Sequence, residues 1–158
     1  MSALEFSIER QVGGALRVAL SGSIDEQAPL NALFAQLDAD THFDLRNVSR
    51  INSIGIRHWI PLISRLSAER KVSLTALSYV FVTQANSISN LFGAGTVISC
   101  MAPYFCARCG SNSVIEVQAD EVSGGGGKPP SRTCERCKTA LEFDDLDSYF
   151  TFMLKAHK

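Results

Sequence analysis

The chain reads as an α/β protein, with a mixed β-sheet covered by helices and a small zinc ribbon beside it. Strand-like runs alternate with amphipathic helical runs over the first hundred residues. Four of the five cysteines fall after residue 100, in two C-x-x-C pairs. A glycine run, Gly124–Gly127, followed by Lys128-Pro129-Pro130, marks a loop between those pairs.

Each element follows from its pattern. Leu4 to Ile8 alternates as a short strand, and Ala15 to Ser21 alternates as a second. Gly13-Gly14 supplies the turn that makes them a hairpin. Leu30, Leu33, Phe34 and Leu37 have helical spacing, with Asp25 or Ser23 as the cap. His42 to Val48 is short and extended. Ser53 to Arg70 is a second amphipathic helix through Ile56, Trp59, Ile60, Ile63 and Leu66. Pro61 inside it lacks a donor for the carbonyl of Arg57 and is expected to bend it. Val72 to Leu77 is a strand, Tyr79 to Phe92 a third helix and Thr96 to Met101 a further strand. Val114 to Val117 and Ala140 to Phe143 are the strands of the ribbon. Asp144 to His157 is a final helix, with Leu146, Tyr149, Phe150, Met153 and Ala156 on one face. The expected division is 1–102 for the α/β core, 103–143 for the ribbon and 144–158 for a helix completing the core. The ribbon is then an insertion, because Phe150, Phe152, Met153 and Leu154 need a surface to bury against.

Composition excludes several classes. At 158 residues and 46% hydrophobic, the chain can build a proper core and is no disordered tail. Its formal net charge of −1 gives no global field for nucleic acid or anionic membrane. Glu5, Glu9 and Arg10 prevent an apolar signal core at the N-terminus. Residues 72–107 carry no Asp, Glu, Lys or Arg, but Gln84, Asn86, Ser87, Ser89 and Asn90 interrupt that stretch, so no membrane insertion is expected. The expected setting is bacterial and cytoplasmic. No Ser-His-Asp set, P-loop or dinucleotide fingerprint is present, so the expectation is that the chain is not an enzyme.

Cys106-Ala-Arg-Cys109 and Cys134-Glu-Arg-Cys137 are separated by 24 residues. Two thiolates on a tight turn, twice over, supply four soft ligands and point to structural Zn²⁺. Iron takes the same four ligands and is the rival. A closed four-thiolate site has no open position for a substrate, so no catalysis is expected there. Cys100, in a strand, reads as a small buried hydrophobe. Arg108, Arg132, Arg136 and Lys138 form the only basic cluster, against an acidic run at Glu142, Asp144, Asp145 and Asp147. That balance argues against nucleic acid, which stays as an alternative partner of the ribbon.

The segment Asp44-Leu45-Arg46-Asn47-Val48-Ser49-Arg50-Ile51-Asn52-Ser53-Ile54-Gly55-Ile56 runs from a strand through a turn into a helix. It resembles the STAS family motif, roughly D-L-S-x-V-x-x-I-D-S-S-G-I/L. That family includes bacterial anti-sigma-factor antagonists, stressosome subunits and anion-transporter tails. The resemblance covers about residues 4–102 and the last helix. It implies a STAS-like core and places Ser53 at the position phosphorylated in the antagonists. Two departures stand out: Asn52 replaces the usual Asp, and Ile54 replaces the second Ser. They favour a regulatory or scaffolding module in signal transduction that acts by protein–protein contact. The alternative is a phosphorylation-switched antagonist with Ser53 as acceptor.

The helix from Tyr79 carries no charge, which suits an interface core. Asn86, Ser89 and Asn90, with Asn52 and Arg57 at the start of the Ser53 helix, are the expected partner surface. The occupant is an anti-sigma factor, another signalling protein or a second copy of the chain. An ordinary helix partly covered by the ribbon would equally explain the missing charge. His58, beside Trp59, is expected to face solvent.

Overall fold

The computed structural model describes residues 3–155. It is a mixed α/β fold in which a five-stranded sheet runs on into a three-stranded antiparallel one. β1 (Glu5–Arg10) and β2 (Leu16–Ile24) form an antiparallel hairpin. Its turn closes with Gly14 N–H donating to Gln11 C=O. β3 (Thr41–Ile51) and β4 (Val72–Thr75) then add in parallel, followed by β5 (Thr96–Val97). The order β1-β2-β3-β4-β5 is sequential. Each parallel crossover is filled by a helix: α1 (Leu30–Phe34), α2 (Ser53–Glu69) and α3 (Tyr79–Ser87).

These helices share one core with one face of the sheet. Leu16, Val18 and Leu20 of β2, Phe43 and Leu45 of β3 and Leu74 of β4 are buried at every second position. Trp59 of α2 sits at the centre, in ring contact with Phe34, Phe43 and Phe81. Its indole N–H donates to the carbonyl of Leu91 at 2.8 Å, so the one polar atom of the ring is satisfied.

The other sheet face is polar. Ladder register places Glu9, Arg17, His42, Ser73 and Thr96 side by side across all five strands. Arg17 and Thr96 are exposed, and His42 and Ser73 are half-buried.

The expected strand over Thr96 to Met101 divides at Ile98. β5 belongs to the parallel sheet, whereas β6 (Ser99–Phe105) pairs antiparallel with β7 (Asn112–Gln118) and β8 (Glu142–Phe143). Ile98 N–H still donates to Leu74, while its carbonyl accepts from Ala119 beyond β7. A short helix, α4 (Ala119–Gly124), precedes the remaining glycines. Glu121 accepts from the Gln118 N–H and holds the helix start.

Three helices differ from their expected bounds. α1 is a single turn begun by Pro29. Asp25 accepts from the N–H of Gln27 instead of capping it, and Ser23 makes no cap either. α3 stops at Ser87, before the expected Phe92. The final segment is a 3-10 turn, Asp147–Phe150, followed by α5 (Thr151–Lys155). Asn86 explains that break: its amide donates to Tyr149 C=O and accepts from Phe152 N–H, both at 2.9 Å. Ala156 and His157 of the expected helix lie outside the described residues.

Among the described residues no helix is long and apolar enough to cross a membrane. α2 begins hard against the end of β2. Asn52 N–H donates to Ile24 C=O, and a Cβ on Gly55 would fall on that same carbonyl, well inside van der Waals contact. Gly55→Ala is therefore expected to cost about 3 kcal/mol or more. Urea unfolding followed by the emission of Trp59, the only tryptophan, measures it. A loss below about 1 kcal/mol would mean that this helix start is not seated as described.

Candidate metal centre

The four cysteines expected to act together do meet. The sulfurs of Cys106, Cys109, Cys134 and Cys137 all lie within 4.8 Å of one another. Cys106 and Cys137 are 3.3 Å apart, and Cys109 and Cys134 are 3.8 Å apart. These are not disulfides, since a bonded pair sits near about 2.05 Å. A tetrahedron with metal–sulfur bonds of about 2.3 Å has edges of about 3.8 Å, so the quartet has the size a metal ion needs. It could hold one.

The local backbone explains this. Cys106 leaves the end of β6, and β7 returns from Asn112, so the first pair sits at a hairpin tip. Gly110 N–H donates to Cys106 C=O, and Cys106 N–H to Ser111 C=O. The second pair repeats the pattern. Lys138 N–H donates to Cys134 C=O, and Cys134 N–H to Thr139 C=O. Each turn needs a left-handed residue after its second cysteine: Gly110 has φ +72°, and Lys138 has φ +63°. Tyr104 steers the second turn toward the first by donating to Pro130 C=O at 2.7 Å. Arg132 does so by pairing with Glu121 at 2.8 Å.

Two residues not singled out by the sequence reading complete the site. Ser111 lies 3.0 Å from the Cys109 sulfur, and Thr139 lies 3.0 Å from that of Cys137 and 3.4 Å from that of Cys106. The signal was available, because a hydroxyl residue stands two positions after the second cysteine of both pairs. The Thr139 hydroxyl, then the Cys109 N–H and the Cys137 thiol, lower Cys106 to about 6. Ser111, through its hydroxyl and its N–H, lowers Cys109. Cys134 moves the other way. The N–H groups of Cys137 and Arg136 favour its thiolate, but burial and the neighbouring thiols outweigh them. Four sulfurs this close cannot all carry charge without a cation among them.

No protein-family model matches the chain, and no curated protein is detectably similar to it. Function must therefore be read from the site.

The remaining candidate residues lie elsewhere. Ser53 is exposed and is the first residue of α2. The cap is Asn52, whose side chain accepts from Gly55 N–H at 2.8 Å and donates to Glu26 at 2.7 Å. Arg57 and His58 are exposed on the next turn. Asn86 is half-buried and spends its amide on the C-terminal segment, so the charge-free α3 is covered at that point by its own chain. Ser89 and Asn90 are exposed beyond the end of α3. Cys100 is buried outside the quartet, and burial, with Glu116 nearby, pushes its thiol up to about 12.

The two turns differ in one respect that can be measured. Gly110→Ala meets open space, so its cost is the left-handed backbone alone, about 1–2 kcal/mol. Lys138→Gly relieves the same strain and is expected to gain about 1 kcal/mol or less. Denaturant midpoints of the variants check both signs.

Proposed function

We propose that this chain is a non-catalytic regulatory or scaffolding protein. It has a STAS-like α/β core, carries structural zinc and works through protein–protein contact in a bacterial cytoplasm. The observation that carries this reading is the closed sulfur quartet. Cys106, Cys109, Cys134 and Cys137 would hold the zinc and leave no ligand position for a substrate. The ion would supply cross-linking and charge neutralisation. Zinc is preferred to iron because a closed-shell ion suits a purely structural role.

The sheet order supports the STAS-like assignment. An antiparallel hairpin leads into sequential parallel strands, and the motif from Asp44 to Ile56 runs from β3 into α2. The exposed start of α2, with Ser53 and Arg57, is the surface best placed for a partner. The switched antagonist remains the alternative. The Glu26 carboxylate, held by Asn52 beside Ser53, weighs against it, because it would repel a phosphoryl group there. The nucleic-acid alternative is weakened as well, since Arg132 is committed to Glu121.

Elemental analysis is expected to return one zinc per chain. Cys109→Ser should weaken zinc binding by more than about a hundredfold, judged against the 10–100-fold typical of outer-shell changes. Visible absorbance from bound iron would refute the zinc assignment. Affinity capture from the native cell should recover a protein that Arg57→Glu loses while zinc content is unchanged. Phosphate on Ser53 in intact-mass spectra would favour the switched alternative.

A further inference from the structure

A cavity of about 650 Å³ opens on the polar face of the sheet, at the start of β3 and β4. That volume lies within the range of small-molecule sites. It shares no residue with the sulfur quartet.

Its lining has three parts. Arg70 and Lys71, at the end of α2, are exposed and form no ion pair among the described residues. Asp40 faces them, and one of its oxygens accepts from the Lys71 N–H at 2.9 Å. His42 and Ser73 pair across neighbouring strands, and His42 Nδ1 shares a hydrogen bond with Ser73 Oγ at 2.5 Å. The bond occupies only Nδ1, leaving Nε2 free for a hydrogen bond to a ligand. Burial, with Arg17 alongside, lowers the imidazole, which keeps it neutral near pH 7. Ala94 and Ile98 give an apolar wall, and Ile98 is 38% exposed.

We propose that this cavity binds a small organic carboxylate. Arg70 and Lys71 hold the anionic group, and the apolar body lies over Ile98 and Ala94 beside the His42–Ser73 pair. Charge selects the class. Asp38 also lies within electrostatic reach of Arg70 but is paired with Arg10 at 2.8 Å, so the two cations facing Asp40 leave a single net positive charge, which a monoanion neutralises. A phosphate dianion would leave excess negative charge against Asp40.

Calorimetric titration of the full chain with benzoate and with hexanoate tests this, alongside NMR of the His42 ring. At least one acid should saturate a single site at millimolar concentration and move the His42 signals. Methyl benzoate, which lacks the charge, should bind at least about tenfold more weakly than benzoate, the weight of one charge-assisted hydrogen bond. The double variant Arg70→Ala/Lys71→Ala should lose at least about tenfold, with Trp59 emission unchanged as the check on folding. Phenyl phosphate should bind more weakly than benzoate. No saturation by either acid, unmoved His42 signals, an ester as tight as the acid, an unaffected double variant or tighter phenyl phosphate would each overturn the assignment. Zinc content is unaffected in every arm, so failure here is separate from failure of the metal reading.

Discussion

The fold turns on one buried hydroxyl at the place where the chain changes sheets. Ser99 is fully buried just past Ile98, and its Oγ accepts from the N–H of Ala76 at 2.8 Å. The same oxygen lies 2.9 Å from Thr75 Oγ1 and donates to Glu116 at 2.6 Å. Ala76 is held at φ +53°, a costly backbone for a residue with a Cβ. An unsatisfied N–H there would add about 1–3 kcal/mol. Ser99 thus fixes the end of β4, the start of β6 and the middle of β7 together. Glu116 extends the tie through Arg46 to Asp44 on β3. The aim of the β6–β7 hairpin, and so the position of the first cysteine pair, follows from this junction.

The second cysteine pair is brought in by different means. Closing the 24-residue gap from Cys109 to Cys134 costs about 3 kcal/mol of loop entropy by the logarithmic rule, besides a constant. Protein contacts offset part of it. Tyr104 packs edge-on against Phe143 and bonds Pro130, and Arg132 holds Glu121. Structural zinc in zinc-finger peptides contributes apparent energies of about 10–16 kcal/mol, far above that cost. The protein contacts therefore set where the ribbon tip points, and the proposed ion sets whether the tip is ordered.

What the sequence made legible was local or repeated. The hairpin at Gly13-Gly14, the helix from Ser53 and the paired C-x-x-C turns each rest on neighbours within a few positions. The change of sheet at Ile98 was not legible, because Thr96 to Met101 is one uncharged run without glycine or proline, and only the hydrogen-bonding partners change. The contacts of Asn86 were hidden for a related reason. A polar residue on a charge-free helix reads as a partner surface, yet its amide is consumed by Tyr149 and Phe152, 63 and 66 residues further on. His42 and Ser73 stand 31 residues apart and meet only through strand register, which no short window contains.

The features with chemical potential lie at different places on the molecule. Ser53 and Arg57 stand at one end of α2, whereas Arg70 and Lys71 follow its other end. At 1.5 Å per residue, the 17 residues of α2 put about 25 Å between those ends. A small molecule in the cavity therefore cannot touch a partner seated on the start of α2. Ile98 offers a shorter route, because it lines the cavity and immediately precedes Ser99 at the junction. An occupant pressing on Ile98 bears on the strand that carries the first cysteine pair. Coupling between cavity and ribbon needs only this one strand, whereas coupling between cavity and Ser53 would have to pass along a helix clamped at Trp59 by three aromatic rings.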